Sequence, residues 1–132
     1  MSSENVNDLS LGVLRSLGFD NEHLGSLIER WQVFVAECRS GYTWDYSEYL
    51  NEIRVRGVLQ CLLDHPKVRD ADEVQEMFQE VLRLDEEFKS ILQQNISLSR
   101  GEGWWDRGVL MYGGEEYRQY MKIAHGIAVR QV

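Results

Sequence analysis

The sequence predicts an all-α fold, a compact bundle of five or six helices in a single domain. Three observations carry that expectation. Apolar residues recur at steps of three and four through most of the chain, the period of a helix with one buried face. No stretch of useful length alternates apolar and polar residues as a half-buried strand does. Several glycines and the one proline, Pro66, fall at the ends of the periodic stretches, where helices stop. The 132 residues suffice for one core, and a hydrophobic content of 43% is that of an ordinary folded domain.

Residues 1–6 read as a flexible tail and residues 7–132 as the helical domain. Residues 7–17 place Leu11, Leu14 and Leu17 on one side of a short helix. Gly12 weakens that helix and Gly18 closes it. The next stretch is clearer: Leu24, Leu27, Ile28, Trp31, Phe34, Val35 and Cys38 trace one face. Asp20 or Asn21 can cap its start and Gly41 its end, while Glu22, Glu29 and Glu37 fall outside the stripe, toward solvent. Residues 42–64 hold two apolar runs, Tyr46, Tyr49, Leu50, Ile53 and then Val58, Leu59, Leu62, Leu63. They slip out of phase between Arg54 and Gly57, so the segment is either two short helices or one kinked helix. Thr43 or Asp45 can cap it, and Pro66 ends it at His65.

From Asp70 to about Gln93 the pattern runs without glycine or proline: Val74, Met77, Phe78, Val81, Phe88, Ile91, Leu92. This predicts a helix of six turns or more, roughly 35 Å long at about 1.5 Å per residue. Asp70, Asp72 and Glu73 crowd the end where the helix dipole favours negative charge. Residues 94–114 read as a loop that contains GEGWWDRGVLMYGG. A last helix follows, with Tyr117, Tyr120, Met121 and Ala124 on one side.

Charge narrows the function. The formal net charge is −8, from 22 acidic and 14 basic residues. Such a chain is a poor ligand for nucleic acid, whose phosphates are held by Lys and Arg, and for an anionic membrane surface. A basic protein would be attracted and its capture hastened. The acidity is uneven: residues 1–99 hold 18 acidic and 9 basic side chains, residues 100–132 hold 4 and 5. No apolar run approaches the ~20 residues of a membrane span, and the N-terminus lacks the pattern of a signal peptide. Cytoplasmic localisation is expected, with Cys38 and Cys61 as buried, reduced thiols.

The motifs of catalysis and metal binding are missing from the sequence. His23, His65 and His125 are far apart and lack CxxC or HxxxH partners, so no metal and no cofactor is expected. No phosphate loop and no G-x-S-x-G turn occurs. The expectation is a protein that is not an enzyme.

Two features remain as candidate partner-binding sites. Glu73, Glu76, Glu80 and Glu87 line up at helical spacing beside the apolar face of the long helix. Residues 70–87 carry eight acidic side chains and one basic one, Arg83. Either this is a solvated surface or it is a docking face for a basic partner. The second feature is the Trp104–Trp105 pair. Adjacent residues cannot point the same way on a regular element, so one indole can plug the core while the other covers an edge. An exposed indole would serve as a binding anchor. Asp85 is an oddity: its position falls near the apolar face, where an unpaired carboxylate is costly. A partner is expected from Arg54, from Arg56 on the same segment, or from an indole N–H.

The segment LIERWQVFVAECRSGYTWDYSEYLNEIRVRGVLQCLL, with the later LDEEFKSIL and WWDR, resembles small acidic all-helical bacterial proteins of a poorly characterised, toxin-linked type. Trp31, Tyr42, Tyr49-Leu50-Asn51, the Leu84 to Phe88 segment and the Trp104–Trp105 pair carry the resemblance. It implies a single helical domain without a known catalytic site and an immunity- or antitoxin-like role. The functional expectation is a small cytoplasmic protein-binding module, an immunity or inhibitor protein that blocks a basic bacterial toxin, such as a nuclease, by occlusion. Two alternatives stand beside it. One is a structural or adaptor module that binds a protein, or its own copy, through the tryptophan loop. The other is a small-ligand-binding bundle or enzyme, with Asp85, Arg54 and Tyr49 under the 101–114 loop.

Overall fold

The first clear helix begins at a reciprocal cap. The His23 backbone N–H donates to Ser26 Oγ at 3.0 Å, and the Ser26 N–H donates to His23 Nδ1 at 3.2 Å. This satisfies N–H groups that an α-helix leaves free at its start. In the computed structural model, residues 12, 14–16, 18, 22–101 and 103–131 are described, apart from the side chains of Lys67 and Glu73. The expected caps Asp20 and Asn21, the tail 1–6 and most of the expected helix at 7–17 lie outside the described residues. The cap of the next helix is His23.

Helix α1 spans Leu24–Gly41 and buries the stripe expected of it, from Leu24 through Cys38. Asp45 caps α2, Tyr46–Asp64, its carboxylate accepting from the Glu48 N–H at 2.8 Å. The segment is one continuous helix, and its two apolar runs serve different neighbours. Tyr46 and Tyr49 stack among aromatics of α1 and of the last helix. Further along, α2 buries Val55, Arg56, Val58, Leu59, Leu62 and Leu63. Cys61 falls on the opposite side of that face and is exposed, contrary to the expectation of two buried thiols; Cys38 is buried. His65 ends α2, and Pro66 opens the single turn α3, Pro66–Arg69.

The long helix expected over residues 70–93 is shorter. A 3-10 turn, Asp72–Val74, leads into α4, Gln75–Lys89, about 22 Å long at 1.5 Å per residue. The apolar period continues to Leu92, but the backbone there is used otherwise. The Met111 N–H donates to Ile91 O and the Gln93 N–H to Val109 O, each at 2.8 Å, and Leu92 bridges Leu110 antiparallel. Long-range pairing ends a helix that the side-chain pattern would have continued.

The expected loop 94–114 contains two small elements, the single turn α5, Trp104–Arg107, and strand β1, Tyr112–Gly113. Helix α6, Glu115–His125, follows. Strand β2, Arg130–Gln131, then pairs parallel with β1, Tyr112 opposite Arg130 and Gly113 opposite Gln131. The Gly114 N–H donates to Tyr42 O at 2.7 Å, and a Cβ at this position would collide with that carbonyl. Glycine is required there because two backbones meet.

The protein is thus a compact all-α domain, with six helices among the described residues and one very small sheet. Helix α1 packs on both α2 and α4. Phe88, Trp31, Phe34 and Tyr49 form the centre of the core, with successive ring centroids 5.2–5.7 Å apart. Fully burying an apolar side chain of Val to Phe size contributes about 1.5–3 kcal/mol. Among the described residues, no helix is long and apolar enough to cross a membrane.

Candidate functional site, an acidic cleft between two helices

The acidic stripe on α4 is largely self-neutralised. Arg83 Nη1 donates to Glu87 Oε1 at 2.7 Å, and the same guanidinium holds both oxygens of Glu80. Arg39 adds a longer contact to Glu87, at 3.8 Å. Arg83 thereby holds the Glu80 carboxyl below the usual carboxylate range. Glu76 is exposed, and the side chain of Glu73 lies outside the described residues. Of the four expected carboxylates, two are tied to the one arginine between them.

The tryptophan pair divides its work. Trp105 is buried and seats its indole against Gly57 of α2, with the Arg56 guanidinium 4.6 Å from its ring centroid. Gly103 permits this, because a Cβ there would overlap the Trp105 ring. Trp104 is half-buried, stands edge-on to Trp105 and packs on Phe88. Lys89 Nζ sits 4.6 Å from its ring centroid.

Asp85 is paired, by Arg56 and not by Arg54. Arg56 Nε and Nη2 donate to the two carboxylate oxygens at 2.8 Å each, and the Trp31 indole N–H donates to Oδ1 at 3.1 Å. Arg54 lies two residues, roughly 200°, back round the helix and so faces outward. Both members of the pair are almost fully buried. Tyr49 is buried too, among Phe34, Tyr42 and Tyr117. The three polar residues expected to share a pocket are therefore not brought together.

A different set of acids is. Between α1 and α2 lies a cleft of about 390 Å³ lined by Glu22, Ser26, Glu29, Arg30, Val33, Phe34, Glu37 and Glu52. Phe34 is part of the core and Val33 is exposed, so the cleft has apolar walls as well as charged ones. Arg30 pairs with Glu22 at 3.0 Å. Glu52 accepts the Tyr42 hydroxyl at 2.6 Å. One oxygen of Glu37 is buried and has no hydrogen-bond partner among the described residues. Burial pushes the Glu37 carboxyl above its ordinary range, Glu52 pushes it further by its charge and by a hydrogen bond between the two carboxyls, and the charge of Glu48 adds to this. Four carboxylates thus meet one guanidinium, with Glu29 and Arg30 on the exposed rim and Glu22, Glu37 and Glu52 half-buried.

Sequence reasoning placed Glu22, Glu29 and Glu37 off the apolar stripe of α1, which are three of the four carboxylates of this site. It missed Glu52, which arrives from another helix. It also missed Trp44, exposed just before the cap of α2.

Chemically, the cleft can hold a cation with an aliphatic stem, as a lysine or arginine side chain has: the stem against Val33 and Phe34, the head among the glutamates. Comparison of the chain with protein families, with characterised proteins and with solved structures finds no significant match.

Proposed function

We propose that this chain is a small acidic protein-binding module that captures a basic protein and blocks it by occlusion, the role of an immunity or inhibitor protein. The observation that supports this reading is the α1–α2 cleft, where a buried, unpartnered carboxylate oxygen of Glu37 stands beside Glu29 and Glu52. A lysine or arginine from the partner supplies the missing donor there and relieves the repulsion that raises Glu37. The outer acids of α4, Glu76 among them, and the net charge of −8 act at longer range, steering a basic surface inward. Trp104 and Trp105 belong to the packing of the domain in this reading, and Trp44 is the exposed aromatic available to a partner.

The test is affinity capture of the tagged chain from its own cell extract at low and high salt, run in parallel with two double variants. The expected result is one stoichiometric basic protein, weakened by high salt. It is lost with Glu29→Gln/Glu37→Gln and retained with Glu76→Gln/Glu80→Gln. Loss with the α4 pair alone would move the interface to the stripe. An acidic partner, or one indifferent to both variants, would overturn the reading.

A further inference from the structure

In this acidic chain, one stretch of surface is lined by cations and hydroxyls. It is built by residues 96–101 and the turn α5. Two shallow depressions share Ser97 and Arg107 as a common wall. The larger, about 550 Å³, is lined by Ser97, Ser99, Arg100 and Arg107 with the backbone of Leu98 and Gly101 between them. The smaller, about 320 Å³, adds Lys89, Leu92, Ile96 and Trp104. Among the described residues, no carboxylate lines either one. Asp106 lines the neighbouring groove with Arg54 and Cys61, a groove that Arg100 also borders, and Glu86 meets Lys89 at 3.5 Å.

The surface is held in shape from beneath. The Leu98 N–H donates to Arg107 O at 2.9 Å, which ties the two walls together. Arg100 Nη1 donates to the Tyr46 hydroxyl at 3.0 Å, which fixes that guanidinium on the core. Gly101 turns the chain with φ of 74°, where Asp106 packs against it. Arg107 makes only a long contact to Gly101 O, 3.4 Å, and neither it nor Arg100 forms an ion pair among the described residues.

We infer that this surface is a binding site for a phosphate ester carrying a planar ring, the chemistry of a mononucleotide. Two guanidinium groups beside two seryl hydroxyls present donors suited to phosphate oxygens. The adjoining depression supplies an indole and two aliphatic side chains for the ring, and Lys89 moves from the face of Trp104 to the anion. It shares no lining residue with the α1–α2 cleft, so it stands or falls independently of the proposed capture of a basic protein.

Calorimetric titration of the full chain tests the inference, with AMP as the probe and inorganic phosphate and adenosine as its two halves. The expected result is saturable AMP binding at least tenfold tighter than either half. Arg107→Gln, at an exposed position, should weaken it at least tenfold with thermal unfolding unchanged. Trp104→Phe should weaken AMP more than it weakens phosphate. Absence of saturable AMP binding, phosphate binding as tightly as AMP, or AMP binding untouched by Arg107→Gln would each overturn it.

Discussion

Two arrays of glutamates on this molecule look alike in sequence and differ in space. On α4, Glu80 and Glu87 flank Arg83 at helical spacing, and the arginine reaches both. In the α1–α2 cleft, Glu29 and Glu37 from one helix meet Glu52 from another, and the one cation, Arg30, is engaged by Glu22. The denser array along the chain is the more neutral one. The sparser array leaves a carboxylate oxygen buried without a partner. Charge counted along a helix measures how many acids are present. Whether they can attract a partner depends on which cations the fold has already given them.

The contrast between paired and unpaired carboxylates can be tested in decreasing steps. Asp85 sets the upper limit, because its pairing is fully buried. Asp85→Ala strands the Arg56 guanidinium and the Trp31 N–H, and should cost about 3–5 kcal/mol in urea unfolding. Arg54→Ala, on the outward face of the same helix, should stay within about 0.5 kcal/mol of the parent. Equal losses in the two would dissolve the distinction between the inner and the outer arginine.

Glu37→Gln should act in the opposite direction and raise the melting temperature at neutral pH, by ~1–3 °C. The folded protein holds the Glu37 proton more tightly than the unfolded chain does, because burial and the neighbouring Glu52 and Glu48 disfavour the anion. The destabilisation is therefore present above the raised pKa and is relieved as pH falls through it. The advantage of the variant should shrink as the solution is acidified toward the ordinary carboxylate range. A variant less stable than the parent at neutral pH would show that Glu37 is satisfied after all.

The smallest effect belongs to Arg83→Gln. Arg83 is exposed and its partners are open to solvent on one side, so thermal unfolding should shift by about a degree at low salt and by nothing measurable at ~1 M salt. Glu80, held low by Arg83, supplies stability above its ordinary pKa that fades as pH falls. A large, salt-resistant loss would make the α4 ladder structural.

What was legible in the sequence was the side of each helix that faces inward. The stripe of α1 can be read from Leu24 to Cys38 because one face has one neighbour. The phase slip in α2 was visible too, but its meaning was not: a helix packed by different neighbours along its length gives the same signal as a break. The end of α4 could not be read, because the residues that stop it, Val109 to Met111, lie well along the chain. Asp85 announced a buried partner by its angular position, and the choice of Arg56 over Arg54 follows from the same geometry once α2 is known to be unbroken. One wall of the cleft was visible in Glu22, Glu29 and Glu37. Its fourth carboxylate arrives by a tertiary contact, and no local pattern brings Glu52 to it.

The two cysteines give the domain a clock of its own. Cys61 stands on the outside of α2 and reacts with a thiol reagent as fast as its chemistry allows. Cys38, sealed in the core with its thiolate disfavoured by burial, reacts only in molecules that have opened. The lag between first and second label therefore counts how often the helices part, in a protein that needs no engineered cysteine to report it.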